Sequence, residues 1–451
     1  MCETKRYIAD IVGDDYKEWN NERILFESDT NTGKTWFCIN VLGQYAADQC
    51  KQILYLCNRR QLRLDTQKSV YQKNLDKTIT VKTYQAIQDI FKSGESLPYY
   101  DYIIADEAHY FEADALFNDY TFSACQYLDS IDNAVVIYIS ATAKLFFDSL
   151  LKSGRVSEKN VYKIEKSYEY VDEVVFYNYR ALQGILDSIL LNEPDTKILV
   201  FLNGMKRLKK MHELYPKESF FFSKGQKGYE AIRSIDRIEG NTFNTRILFT
   251  TKVLDNGVDI KDEAVKYVFS ELLDIDSLIQ SLGRKRTLTD EDHCKFFIRN
   301  WTNSHVTAVE NSNRKIAAKI GEYEEDPVMF FRKYGHDRKL AEHYPIFDTV
   351  DIDQNGNNTL ILNRAKANKI KADMRSYQEI KEIGYKDYVL RKLGGGLEQK
   401  VKEQYSQHIK NRDAVLDSLE GFVRKPIFSK SDEAKALKEI FSKYLKKALR
   451  A

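Results

Sequence analysis

The stretch Ile24-Leu25-Phe26-Glu27-Ser28-Asp29-Thr30-Asn31-Thr32-Gly33-Lys34-Thr35 decides the reading of this chain. Its first three residues form an apolar run of strand type, and the residues after Thr35 are amphipathic with helical spacing. A loop between a strand and a helix aims backbone N–H groups and the positive end of the helix dipole at one point, which suits phosphate oxygens. Lys34 then supplies a point charge for β and γ phosphates, and the Thr35 hydroxyl is placed to ligate magnesium. The pattern G-x-x-x-x-G-K-[ST] is met except at its first position, where Ser28 stands. Asn31 tolerates the left-handed conformation and can replace a glycine. Glu27 and Asp29 sit less comfortably beside a triphosphate.

Further along, the apolar run Tyr102–Ala105 leads straight into Asp106-Glu107-Ala108-His109. A carboxylate at a strand's end reaches a magnesium ion, and the next carboxylate can orient and deprotonate an attacking water. Other short apolar runs recur between amphipathic stretches as far as about residue 298: Ile53–Cys57, Thr78–Val81, Val135–Ile139, Ile198–Leu202, Ile247–Thr250, Val265–Phe269 and Lys295–Ile298. Continuous apolar strands alternating with helices predict a parallel sheet covered on both faces. The polar, Lys-rich segment Lys152–Lys166 reads as a linker. After about Asn303 the sequence turns to long charged helical stretches, Ala367–Lys392 and Leu397–Leu419, broken by Gly394-Gly395-Gly396.

The loop ending Gly33-Lys34-Thr35 and the tetrapeptide Asp106–His109 resemble the Walker A and DEAH-box motifs of superfamily 2 helicases, in the style of bacterial and phage-type members. The resemblance implies an α/β fold of two tandem RecA-like parallel-sheet domains, 1–160 and 161–303, followed by a mostly helical C-terminal domain, 304–451. It implies ATP and magnesium as ligands: Ser28, Asp29, Thr30, Asn31, Thr32, Gly33, Lys34, Thr35, Asp106 and His109 would hold the nucleotide. Thr35 and Asp106 would take the metal, and Glu107 would serve the water.

The remaining motifs follow in order. Ile53–Arg60 and Thr83-Tyr84-Gln85 resemble motifs Ia and Ib, so Asn58, Arg59, Thr83 and Tyr84 are expected on a nucleic-acid backbone, where such groups position a strand without reading it. Ser140-Ala141-Thr142 resembles motif III, with Ser140 and Thr142 coupling the two sites. Ile198–Gly204 resembles motif IV. Phe249–Ile260 resembles motif V, placing Thr251 on a phosphate and Gly257 and Asp259 at the nucleotide. Gln280-Ser281-Leu282-Gly283-Arg284-Lys285-Arg286 resembles motif VI, the source of arginine fingers. On a continuous helix Gln280 and Arg284 share a face, whereas Arg286 points nearly opposite, so Arg284 is expected to be the finger. Tyr16 and Trp19 are candidates for stacking on adenine.

Composition agrees with a globular enzyme: 43% hydrophobic and 30% charged residues, with a formal net charge of +2. Near-neutrality means that any polyanion-binding surface is a local patch. The first ten residues contain no apolar h-region, so the cytoplasm is the expected compartment. Six scattered cysteines with no CxxC pair fit reduced thiols. Asp351–Gly356 imitates an EF-hand start, but Leu362 stands where a bidentate glutamate is needed, and an Asn-Gly hairpin explains the same residues. The Lys-rich Lys438–Arg450 reads as a solvated helix face.

The expected activity is therefore that of an ATP-dependent helicase or translocase. The partner is nucleic acid, with DNA ahead of RNA, and the C-terminal domain is a candidate platform for a protein partner. The rivals are a nucleic-acid-gated remodelling ATPase, such as a defence-system component, and a non-catalytic nucleic-acid-binding scaffold.

Overall fold

A computed structural model of the chain describes residues 7–28, 32–113, 121–141, 143–164, 167–222, 242–255, 259–334, 344, 346–351 and 358–402. The first lobe is a sheet of β1 (Arg23–Glu27), β2 (Ile53–Cys57), β3 (Ile79–Thr83), β4 (Tyr102–Asp106), β5 (Val135–Ser140) and β6 (Val161–Lys163). All pairings are parallel, in the order β3-β2-β4-β5-β1-β6. Every residue of β2, β4 and β5 is buried, which is why those strands read as unbroken apolar runs: helices cover both faces, and no side is left for polar residues.

The second lobe is a parallel sheet of β7 (Val171–Tyr177), β8 (Lys197–Phe201), β9 (Ser219–Phe222), β10 (Ile247–Thr250), β11 (Val265–Ser270) and β12 (Cys294–Arg299). Its order is β7-β12-β11-β8-β10-β9. In each lobe two apolar clusters lie on the two faces of the sheet, as two tandem RecA-like domains require.

Three strands escaped the sequence reading, and one corrects it. The supposed linker Lys152–Lys166 contains a 3₁₀ turn, Glu158–Asn160, and the edge strand β6. The strand stays because Tyr162 packs against Trp19 and Phe26, with both pairs of ring centroids 5.8 Å apart, and because Asn160 donates to Glu22 at 2.7 Å. The crossing between lobes therefore lies beyond Lys163 rather than at residue 160. Tyr16 and Trp19 sit in this same core, packed on Phe37, so they are structural rather than adenine-facing.

The C-terminal segment is divided. Part of it forms a small core of its own around Ile320, Phe330, Phe347 and Leu362. That core includes the antiparallel hairpin of β13 (Phe347–Asp351) and β14 (Asn358–Leu362) expected from the Asn-Gly pattern. The expected helix Ala367–Lys392 is two helices, Arg364–Ile383 and Tyr385–Leu393, broken at Gly384, whose φ of 86° suits glycine. From Ile380 onward the segment belongs to the second lobe: Tyr385, Tyr388, Val389, Leu393 and Leu397 complete one of that lobe's cores. Lys402 N–H bonds the Val174 carbonyl at 3.0 Å along the free edge of β7. The described part of the expected helix Leu397–Leu419 is one 3₁₀ turn, Leu397–Lys400; the rest of it, and Lys438–Arg450, lie outside the described residues. Among the described residues no helix is long and apolar enough to cross a membrane.

Candidate functional site

The phosphate loop leaves the carboxyl end of β1. Gly33 takes a φ of 74°, left-handed, at the point where the chain turns into the helix starting at Lys34. A Cβ there would also crowd the Tyr7 ring at 3.3 Å, so two independent constraints call for glycine. The Ile8 N–H donates to the Thr32 carbonyl at 2.9 Å, the Ser28 and Thr32 hydroxyls bond at 2.9 Å, and Lys34 Nζ donates to the Ser28 carbonyl at 2.7 Å. Ser28 thus anchors the loop in place of the expected glycine. Asp29, Thr30 and Asn31 lie outside the described residues.

Asp106 and Glu107 emerge from the end of β4. The Tyr55 hydroxyl, from the middle of β2, donates to Asp106 Oδ2 at 2.6 Å and also bonds the Thr35 side chain. Tyr55 escaped the sequence reading. Its signal was a phenol in an otherwise aliphatic strand, since a buried tyrosine hydroxyl needs a partner. Asp106 is 5% exposed. Burial, with Glu107 next to it, pushes its carboxyl up to about 6, against the pull of Tyr55 and Lys34. The two neighbouring carboxylates sit beside the Lys34 ammonium, with His109 and Arg284 also acting on Glu107. The Thr35 hydroxyl and Asp106 carboxylate are hard oxygen donors of the kind magnesium takes, so these residues fit that ion.

Glu107 is strained, with a φ of 54° in the left-handed region. Such strain persists only where the surroundings enforce it. Here the Ala108 N–H bonds the Ile139 carbonyl at 2.8 Å, and the Glu107 N–H bonds Asp106 Oδ1 at 2.9 Å. Burial pushes the Glu107 carboxyl up, but the His109 hydrogen bond, with Lys34 and Arg284, holds it down at about 2.

His109 joins the lobes. Its Nδ1 lies 3.1 Å from Glu107 Oε2 and 3.3 Å from Ser140 Oγ, and its Nε2 lies 3.1 Å from the Gln280 side-chain nitrogen of the second lobe. With the proton on Nδ1, the ring donates to Glu107 and accepts from Gln280. Ser140 also accepts the Ser28 N–H on its carbonyl at 3.4 Å, so the end of β5 touches both the loop and the histidine. Thr142 and Gly257 lie outside the described residues.

The arginines correct the sequence reading. The helix Ile275–Leu282 stops at Gly283. Beyond it the chain runs extended beside Ile260, whose N–H bonds the Arg284 carbonyl at 2.8 Å while the Arg286 N–H bonds the Ile260 carbonyl at 2.9 Å. In extended chain the side-chain period is two, so Arg284 and Arg286 share a side rather than opposing each other. Both reach Asp259 Oδ1, at 3.4 and 3.0 Å. Lys285, pointing the other way, is buried against Asp292.

The candidate nucleic-acid residues divide. Tyr84 is fully buried, stacked on Tyr110 at 4.9 Å, and its hydroxyl donates to the Asp106 carbonyl at 2.7 Å. It supports the acidic motif from within, its side chain buried rather than presented to a strand. Asn58 is 4% exposed, and its carbonyl accepts from Gln85 at 3.5 Å. Thr251 is 8% exposed, at the foot of the 3₁₀ turn Lys252–Asp255. Thr83 caps the helix Tyr84–Lys92 by accepting the Ala86 N–H at 3.3 Å. Arg59 and Thr83 are half-buried at the ends of β2 and β3.

Two family models match the chain: the helicase conserved C-terminal domain over residues 179–286, and the type III restriction enzyme res subunit over residues 66–145. No curated protein matches in sequence. Among solved structures, S. cerevisiae Dbp5 bound to RNA and ADP BeF3 is 18% identical, with a TM-score of 0.44, covering 62% of this chain and 78% of that one. A point variant of the same yeast protein, with the same ligands, gives 18% and 0.45 over the same shares.

Proposed function

We propose that this chain, which matches helicase-type family models over both lobes, is a superfamily 2 helicase-family protein that couples magnesium-ATP hydrolysis in the cleft between its lobes to movement along, or unwinding of, a nucleic-acid strand. The observation that carries this reading is the Gln280–His109–Glu107 chain of contacts, which ties the second lobe to the group that would serve the attacking water. The site is complete only when the lobes meet.

Lys34, resting on the Ser28 carbonyl, exchanges that acceptor for phosphate oxygens without leaving the loop. Thr35 and Asp106, aligned by Tyr55, would hold magnesium, which when bound neutralises charge on the β and γ phosphate oxygens. Glu107, held ionised well below neutral pH, is a weak base. It orients the water throughout and takes its proton late, as a loose phosphoryl-transfer transition state allows. Arg284 and Arg286, fixed side by side on Asp259, deliver charge from the second lobe. Arg59, Thr83 and Thr251 are the proposed phosphate contacts, and DNA is the proposed first substrate.

Linkage requires that a strand bridging both lobes raise the ATPase rate, and that ATP tighten strand binding. The test is hydrolysis by the pure protein against single- and double-stranded DNA and RNA at two salt concentrations. Stimulation that fades at high salt is expected. Absence of stimulation by every polymer would replace this reading with a partner-activated ATPase, and strand-displacement assays then separate unwinding from remodelling.

A further inference from the structure

At the carboxyl edge of the second sheet, adjacent strands β7 and β12 send their following helices to opposite faces. Leu182, Ile185 and Leu186 of the helix Leu182–Asn192 join one core, while Val306 of the helix Asn303–Glu325 joins the other. Such a divergence opens a crevice beyond the strand ends, the place where open α/β sheets take ligands. A cavity of about 560 Å³ lies there, lined by Tyr179, Arg180, Arg299, Thr302 and His305 among others.

The chemistry of the cavity is that of an anion site. Both helices start at its wall, with Ala181 and Thr302 as N-cap residues and no side-chain cap on either. Their first N–H groups and positive dipole ends therefore face the same space. Arg299, 6% exposed, leaves its Nε without a hydrogen-bond partner, although buried donors are almost always paired. Glu271, fully buried, is shared by Arg207 at 3.0 Å and Arg299 at 3.9 Å, so two guanidinium groups face one carboxylate, and the exposed Arg180 lines the cavity beside Arg299. The Tyr179 ring lies over the Arg207 and Arg299 guanidiniums at 4.0 and 4.4 Å and remains 43% exposed.

We propose that this cavity is a nucleoside-phosphate subsite: the phosphate sits between the two helix starts and Arg299, and the base lies against Tyr179 at the mouth. The same chemistry is offered by one unit of a single strand and by a free mononucleotide. The strand is the favoured source because Thr251, after β10, and Tyr179, after β7, lie on the same edge of the sheet. Four inter-strand steps separate them, a distance of about 19 Å, or a few nucleotides. That source rests on the nucleic-acid reading above, and it makes the subsite an extension of the strand path beyond the motifs.

The test uses the full chain, its Tyr179→Ala and Arg180→Glu variants, and labelled oligonucleotides of about 4 to 16 residues in a polarisation assay, the span of known single-strand sites. Unstimulated ATPase activity, which should not change, confirms that the variants fold. For the wild type, affinity should step up once the strand is long enough to reach Tyr179. Tyr179→Ala should remove that step, a loss of about tenfold on the long oligonucleotides with little on the short ones. Arg180→Glu should do the same and lower the salt dependence. A mononucleotide bound by the wild type and lost in both variants, with no length step, assigns the site to the free ligand. Variants that follow the wild-type curve at every length and bind mononucleotide equally overturn the proposal while leaving the helicase reading intact. If the wild type binds no oligonucleotide at all, the nucleic-acid reading falls, and the subsite is decided by the mononucleotide arm alone.

Discussion

Each lobe buries an acidic residue at the carboxyl end of a central strand, and the two are neutralised in different ways. After β4, Asp106 and Glu107 share Lys34 of their own lobe, and Glu107 also has His109 beside it and Arg284 from the second lobe. After β11, Glu271 faces two arginines, and the leftover charge is positive. A buried charge without its full complement is costly and persists where something else completes it. On the readings proposed above, magnesium would complete the first lobe's site and a phosphate the second's. The strain follows the same division: Glu107 is the residue of the two held in a left-handed conformation.

The largest expected effect tests the first half of this contrast. Lys34→Ala removes the one ammonium near the paired carboxylates and should abolish hydrolysis and sharply weaken nucleotide binding while the fold survives. Wild-type rates in a folded Lys34→Ala protein would remove the loop from the mechanism. Next, Glu107→Gln should keep magnesium-ATP but lose at least about a hundredfold in turnover. If nucleotide binding is lost instead, the two carboxylates have exchanged roles.

Glu271→Gln tests the second half. It leaves two guanidiniums without their carboxylate and should lower unfolding stability by about 3 kcal/mol, with nucleotide affinity of the first lobe unchanged. Denaturant titration reads it, and a stability equal to wild type would mean that the arginines are neutralised elsewhere. The smallest effect sharpens the contrast at the cleft: because Arg284 and Arg286 share Asp259 and one side of an extended chain, Ala at either should cost turnover similarly, about ten- to a hundredfold. A severe loss at Arg284 with none at Arg286 would restore the helical geometry that the structure replaces.

Much of the fold was legible because its signals are local. The buried strands β2, β4 and β5 are apolar throughout, and the pairing of β13 with β14 follows the Asn-Gly pattern in the sequence between them. β7 was missed because its acidic Asp172 and Glu173 break the run, and β6 because three residues in a Lys-rich stretch carry no periodicity. Its burial depends on Trp19, far away in sequence.

What the sequence determined by itself was the order of the motifs and the chemistry each can offer, since Gly33-Lys34-Thr35 and Asp106-Glu107 are contiguous and their spacing to a strand end is set by the chain. What only the tertiary structure decided was direction and partnership. Tyr84 turned inward to the Asp106 carbonyl, and Tyr55 reached across from β2 to Asp106. Arg286 came round to the side of Arg284 because Ile260 offered backbone hydrogen bonds that ended the helical run. The physical reason is the same in each case: a side chain's direction follows from the backbone's period, and the period at a segment's end is set by whichever distant group satisfies its N–H and C=O.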